Sequence, residues 1–336
     1  MAKTDTVRLS LDEARRLCID AAMAAGARRE TAEPLAISAV AAEADGQPTV
    51  GISHFMDHLT AIEAGRINGN ALPEITRPAK AIFVSDANGG AAQPGFDLAF
   101  DDFVTTAQDF GVAVFAQKNA FTCGSLGYFA GRLAERGLVA FAATNGPALV
   151  AGSGGTKPVY CTNPLAFAAP SADGVPLLID QASSATAFVN IRRAAEEGRS
   201  IPEGWALDSQ GKPTTDPAEA VKGTLLAFGG ARGGNIALMV EVLAAGVGGA
   251  TWSVDAPPWG AGSKGPGSGL FIVAIAPELI DPDFQQRVAA HLRRLAADYD
   301  VHIPGRSKAE ARKTSEQEGI VISAELHAQL LQWIAS

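Results

Sequence analysis

Several residue types that build specialised surfaces are scarce in this chain. Its 3 cysteines, Cys18, Cys123 and Cys161, are odd in number and far apart, which argues against a disulfide framework and against a zinc knuckle. Basic residues are the minority: 27 Lys and Arg face 36 Asp and Glu, a net charge of −9, and no basic block follows a single face. Nucleic acid and anionic membrane are therefore not expected as main partners, although a few local arginines would suffice to hold a small anion. No window approaches ~18 uninterrupted apolar residues, so no spanning helix is expected. The opening Met1-Ala2-Lys3-Thr4-Asp5-Thr6 leads into an amphipathic segment without the apolar core of a secretory signal, and the expected compartment is the cytoplasm. Histidine is scarce too, but 2 of the 5 fall within one short segment.

What is present is core. A chain of 336 residues with 47% apolar and 19% charged content is soluble and large enough for two domains, or for one domain with an added layer. Ser10-Leu11-Asp12-Glu13 has the capping-box pattern and predicts a helix through about Ala25. Arg29–Ala44 and Ser53–Arg66 follow as helices, closed by Gly65, Gly69 and Pro73. From Ala79 short β-branched or apolar runs alternate with helices. Strands are expected at Ala81–Ser85, Val112–Ala116, Leu138–Ala143, Pro164–Ala168, Leu177–Asp180 and Leu270–Ile275. Helices are expected at Phe96–Phe110, Ser125–Arg136, Ser184–Glu197, Asn235–Ala245 and Asp283–Tyr299, with two more to close the chain. Asp255–Ser268, with four glycines and three prolines, is a long loop. The alternation indicates α/β, with helical ends packed on each other.

The segment Gly51-Ile52-Ser53-His54-Phe55-Met56-Asp57-His58 concentrates proton-handling groups on one helix. His54 and His58 are four apart and share a face. The apolar stripe is Ile52, Phe55, Met56, Leu59 and Ile62, and both imidazoles are expected to point away from it. Two imidazoles with the Ser53 hydroxyl and the Asp57 carboxylate suit general acid–base work. The pair lacks the glutamate of the zincin pattern, and no other cluster has metal spacing, so no metal is expected. His291, His302 and His327 have no partners by sequence and are expected to be structural.

Several blocks taken together resemble the malate/L-lactate dehydrogenase type 2 family, whose relatives include sulfolactate and ureidoglycolate dehydrogenases and Δ1-piperideine-2-carboxylate reductases. They are Ser53-His54, Ala143-Thr144-Asn145, Cys161–Ala166, Ile201–Asp208, Pro213–Pro217 and Asn235–Glu241, spread in family order over most of the chain. The resemblance implies hydride transfer with NADP or NAD at the carbon next to a carboxylate, with a lean to NADP. It also implies a homodimer with the active site near the interface, and a non-Rossmann cofactor domain with a mixed central sheet flanked by helices. Consistent with the last point, no G-x-G-x-x-G follows a strand and opens a helix. Residues 1–78 with 277–336 would form a helical, substrate and dimerisation domain, and residues 79–276 the cofactor domain.

Carried over residue by residue, the resemblance makes His54 the proton donor, oriented by Ser53, with Asp57 beside it as a third catalytic candidate. His58 stands where relatives carry a carboxylate-clamping arginine, and is taken as a substrate contact with Thr122, Thr162 and Asn163. Asn119, Phe121, Cys123 and Gly124 would line the cofactor, although Ala120 replaces a histidine usual there. Asp180, Gln181 and Ala182 would meet the nicotinamide ribose. Arg232 would stand against the cofactor at a helix start, and Arg306 and Lys308, with Arg312 and Lys313 nearby, would approach the adenosine phosphate. The expected substrate is a 2-oxo or 2-hydroxy acid. The alternative is a cyclic 2-imino acid, which Asp57 and the missing arginine favour. A non-catalytic ligand-binding relative is the third reading.

Overall fold

Ser10 and Glu13 form the reciprocal cap that the sequence announces. The Glu13 N–H donates to Ser10 Oγ at 3.2 Å, and the Ser10 N–H donates to the Glu13 carboxylate at 2.8 Å. The computed structural model describes residues 5–335; Met1–Thr4, which begin the segment without signal character, and Ser336 lie outside them. Strand β1 (Thr6–Leu9) leads into helices α1 (Leu11–Ala24), α2 (Arg29–Ala44) and α3 (Ile52–Glu63). Then come β2 (Glu74–Ala79), β3 (Ile82–Asp86), α4 (Gln93–Phe110), β4 (Val112–Ala120), α5 (Gly127–Ala134) and β5 (Val139–Thr144). Short strands β6 (Val150–Ala151) and β7 (Pro158–Tyr160) precede β8 (Leu165–Ala169) and β9 (Leu177–Gln181). Next are α6 (Phe188–Glu196), β10 (Ala206–Leu207), β11 (Pro213–Thr214), α7 (Pro217–Val221), β12 (Thr224–Leu225) and α8 (Ala231–Glu241), which continues as a π-helical turn over Val242–Val247. After the glycine-rich loop the chain closes with β13 (Ser268–Ile275), α9 (Phe284–Tyr299), α10 (Arg306–Glu318), β14 (Ile320–Ser323) and α11 (Ala324–Ala335).

The central sheet has seven strands in the order β2-β3-β4-β13-β5-β8-β9. β3 and β4 run parallel across the α4 crossover, and the other neighbouring pairs are antiparallel. This is a mixed α/β sheet unlike the all-parallel dinucleotide fold, which agrees with the missing glycine fingerprint. Few aromatic residues are available, and they are gathered under α4. Phe96 meets Phe100, Phe115 and Phe129 edge to face at 5.1–5.8 Å between ring centres, a geometry that suits the ring quadrupoles. Alanines on the strands let layers approach. On β13, Gly269 allows the π turn to cross closely, since a Cβ there would lie 2.1 Å from the Ala244 carbonyl oxygen.

The two ends of the chain are joined by antiparallel pairing of β1 with β14, from Thr6↔Ser323 to Leu9↔Ile320. Their helices share a second core around Leu35, Phe55, Leu59 and Leu330. A third, smaller core of Val150, Ile191, Ile201 and Leu225 lies under a five-stranded sheet ordered β11-β10-β12-β6-β7. That sheet was not expected, because strands of two or three residues are too short to show alternation. β1, β2 and β14 were also missed. Helix α2 forms over the residues expected, and the 255–268 segment is a run of turns and bends up to β13.

Phe96 is fully buried in the aromatic cluster. Phe96→Ala should destabilise the protein by about 3–5 kcal/mol, read as a lower urea midpoint at unchanged m-value.

Candidate active site

Helix α3 is seated before its histidines are placed. The Glu43 carboxylate on α2 accepts the Ile52 N–H at 2.9 Å, and Gly51 is required there because a Cβ would stand 2.4 Å from that carboxylate. From this start His54 faces a cleft of about 370 Å³ between α3, the loop after β4, the turn before β8 and the end of β9. The His54 Nδ1 lies 2.9 Å from Asp57 Oδ2. The hydrogen bond from His54 holds the Asp57 carboxyl below its usual range, so Asp57 is the anionic acceptor and Nδ1–H the donor. That leaves Nε2 as the ring's other nitrogen, on a residue that lines the cleft. The Ser53 hydroxyl donates to the Pro48 carbonyl, so Asp57, not Ser53, makes the hydrogen bond that sets the His54 ring.

The expectation that both imidazoles turn away from the apolar stripe is corrected for His58. It is 3% exposed, packs edge to face against His54 at 4.9 Å and Phe121 at 5.7 Å, and does not line the cleft. Its Nδ1–H donates to the His54 carbonyl at 3.1 Å, one helical turn back, while its Nε2 is buried without a hydrogen-bond partner among the described residues. Burial, reinforced by the neighbouring His54, pushes its pKa down to about 3. His58 is therefore neutral and stands behind His54. The apolar environment of α2 and Phe121 decides its orientation, and helix periodicity alone could not show it.

Thr122, Cys123, Gly124, Thr162, Asp180, Gln181 and Ala182 all border the cleft with His54. Asp180 Oδ2 accepts the Gly127 N–H at 2.8 Å and lies 3.2 Å from the Ser125 hydroxyl, which places a negative charge at the start of α5. Cys123 and Cys161 are buried thiols; burial pushes Cys123 up to about 12 and raises Cys161, so both stay protonated at neutral pH.

Other candidates are placed elsewhere. The Asn163 side chain is buried and donates to the Ala237 carbonyl and to Glu241, each at 2.8 Å, which corrects its expected turn toward substrate. Asn119 donates to both oxygens of Asp86, at 2.9 and 3.0 Å, and borders a different cavity. Phe121 is wall, not lining, of the His54 cleft. Arg232 is exposed on the first turn of α8, beside a glycine-lined cleft of about 520 Å³ that includes Gly152, Gly154, Gly229 and Gly230. Arg306 pairs with Asp173. Lys308 Nζ lies 3.9 Å from Asp180 and is buried without a hydrogen bond. Arg312 is held by Asp45 and Glu135 and is not free for a phosphate.

Sequence reasoning missed Gln47, Thr49, Val50, Ala187 and above all Trp259, which all line the cleft. Trp259 lies in the glycine- and proline-rich loop, where no periodicity marks it. Its ring fills the space that Gly146 leaves open and meets Phe121 edge to face at 5.5 Å. Among the described residues no group of three or more His, Cys, Asp or Glu could hold a metal ion, and no helix is long and apolar enough to cross a membrane.

The family model of malate/L-lactate dehydrogenase matches residues 9–331. The chain is 33% identical to a Δ1-pyrroline-2-carboxylate/Δ1-piperideine-2-carboxylate reductase of Pseudomonas aeruginosa, over 97% of this chain and 98% of that one. It is also 33% identical to a (2R)-3-sulfolactate dehydrogenase (NADP(+)) of Chromohalobacter salexigens, over 91% and 92% of the two chains. The crystal structure of Δ1-piperideine-2-carboxylate reductase from Pseudomonas syringae superposes with a TM-score of 0.93 at 31% identity, covering 97% of this chain and 99% of that one.

The burial of His58 has a consequence for stability. Between its free value of 6.5 and its folded value of about 3, the unfolded chain takes up a proton that the folded chain refuses. Stability should fall as pH drops through that window, by up to about 1.4 kcal/mol per pH unit, and His58 should contribute no slope above it. His58→Phe should flatten the acid limb in urea titrations at a series of pH values.

Proposed function

The chain belongs to the malate/L-lactate dehydrogenase family, and on that premise we propose that it is an NAD(P)-dependent reductase of a small cyclic 2-imino acid. One observation carries this choice of substrate. Among the described residues no arginine or lysine lines the His54 cleft, whereas Asp180 lines it and Asp57 is hydrogen-bonded to its histidine. A protonated imine is a cation at the reacting centre and gains from those carboxylates; an acid with a second anionic group has no partner charge there. Trp259 adds an apolar wall suited to a ring.

The residues present fit a nicotinamide cofactor. The buried Lys308 Nζ, 3.9 Å from Asp180 and without a hydrogen bond among the described residues, is a donor in want of an acceptor, and Thr122 to Gly124 with Asp180 to Ala182 form two edges of the cleft. When bound, the cofactor supplies or accepts the hydride at the carbon next to the carboxylate. His54, as imidazolium, gives its Nε2 proton to the neutral imine nitrogen, and the iminium so formed accepts the hydride to become the amine; with a 2-oxo acid the same proton goes to the developing alkoxide oxygen, while ionised Asp57 fixes the tautomer and steadies the imidazolium. The hydroxyls of Thr122 and Thr162 are the groups offered to the substrate carboxylate. Lys308, beside the cleft-lining Asp180, favours NADP; Arg306 is engaged by Asp173 at a different cavity.

A second reading is reduction of a 2-oxo acid or oxidation of its 2-hydroxy acid. It is favoured by Arg192 on α6, an exposed cation whose charge is felt at Asp57 and which makes no ion pair among the described residues. Arg192 would take the role of the arginine absent at position 58.

We further propose a cytoplasmic homodimer. The three free, buried cysteines suit a reducing compartment. Leu238, Met239, Val242, Val247, Trp252 and Val254 expose an apolar surface on and after α8, and Gly246 accommodates the Trp252 ring against it.

NADPH consumption should be faster with Δ1-piperideine-2-carboxylate than with open-chain 2-oxo acids, and His54→Asn should lower kcat by about 10²–10⁴-fold. Turnover of oxo acids alone would select the second reading, and near-normal kcat in His54→Asn would remove His54 from the chemistry. Sedimentation at micromolar concentration should give twice the 34.5 kDa chain mass; Val242→Asp should shift it toward the monomer.

A further inference from the structure

A second cavity, of about 370 Å³, lies on the far side of the Phe121–Trp259 wall from the His54 cleft. Four segments distant in sequence form it: the turn after α3 with Gly65, Arg66 and Asn68, the turn after β3 at Asn88 and Gly89, the end of β4 at Asn119 to Phe121, and the glycine-rich loop with Ser263, Lys264 and Gly265. Thr251 completes it.

Its charge is unbalanced. Arg66 and Lys264 make no ion pair or hydrogen bond through their side chains among the described residues, and the Arg66 Nε is buried. The hydroxyls of Thr251 and Ser263 are likewise without a partner. Two cations and two hydroxyls thus offer donors around one space. The acid beside this wall, Asp86, is already occupied: it accepts from both the Asn119 amide and the Asn88 N–H, with Lys118 Nζ at 3.5 Å. The asparagine amides are committed as well, Asn88 to the Leu72 carbonyl at 2.9 Å and Asn68 to the Asn88 carbonyl at 3.3 Å. What remains unpaired is donor and positive.

We propose that this cavity binds a small oxyanion, a phosphate or the carboxylates of a small dicarboxylic acid, between Arg66 and Lys264. A guanidinium and an ammonium from two segments that line one cavity match such a ligand, the first by paired hydrogen bonds and the second as a point charge. The bound anion joins α3 to the loop. Gly265 already lies against the Arg66 carbonyl and the Phe121 ring, where a Cβ would stand 2.7 and 3.4 Å away. The same loop carries Trp259 into the His54 cleft, so an anion that holds the loop also holds that wall. Its effect falls on KM for the substrate, not on the proton transfer at His54.

Calorimetric titration of the full chain with inorganic phosphate, and separately with succinate, tests the site directly and without reference to the reaction catalysed. One saturable site per chain is expected with at least one of the two, and the one that binds identifies the source of the anion. Lys264→Ala is exposed and should fold and keep kcat unchanged, while weakening the anion by about tenfold. Ser263→Ala should weaken it less, and the anion should change tryptophan emission in the wild type but not in Trp259→Phe. Absence of saturable binding for both anions overturns the proposal. So does binding that is unaffected by Lys264→Ala, or binding that is abolished by Arg306→Ala, which would assign the anion to the C-terminal basic segment.

Discussion

Glu241 is a buried carboxylate on which the arrangement of the His54 cleft depends. It accepts the Ser253 N–H and hydroxyl, both at 2.7 Å, and the Asn163 amide at 2.8 Å. Those three bonds tie the end of α8 to the strap at Ser253 and to the turn before β8. Ser253 in turn receives the Cys161 N–H at 3.3 Å, so the segment that delivers Thr162 is anchored at both sides. A carboxylate in such a setting is tolerated because its oxygens are satisfied by several donors. Asn163 holds a left-handed backbone, φ 35°, which an asparagine accepts more readily than most residues and which turns the chain into Pro164. The strap also bears the neighbouring layer: Asn145 donates to the Thr251 carbonyl and accepts the Gly269 N–H, each at 2.8 Å.

His54 is governed by a different balance. His54 sits between a charged and an uncharged neighbour on its own helix, Asp57 in front and His58 behind. The carboxylate keeps one ring nitrogen protonated, and the buried imidazole, kept neutral by its surroundings, adds no competing positive charge. An arginine in the place of His58 would have to be buried among α2, Phe121 and His54, and could not remain there without a partner. The neutral, buried His58 and a cleft lining without basic side chains among the described residues are therefore consistent with each other.

The glycine-rich loop connects the two cavities that flank the Phe121–Trp259 wall. It is too short of periodic apolar residues to pack as an element, yet it supplies the wall of one cavity and a cation of the other. Its shape follows from close approach. Gly265 and Gly267 admit the backbone where side chains would collide, and Gly267 has φ 65°.

Local signals in the sequence determined much of the scaffold. The Ser10–Glu13 cap, the α2 span, the long helices and the main central strands are set by periodicity and by residues within a few positions of each other, and they were legible. The absence of a glycine fingerprint likewise excluded the ordinary dinucleotide fold. His54, Thr162 and Asp180 were named from family blocks, and the structure brings all three to one cleft. Tertiary structure alone decided the rest. His58 faces inward because Phe121, 63 positions away by number, packs on it; Asn163 turns to Glu241 for the same kind of reason. Trp259 and the small sheet were invisible because neither a lone ring in a loop nor a two-residue strand has a period. Side-chain direction at these positions is set by which distant segment offers a partner, a quantity that a linear pattern does not contain.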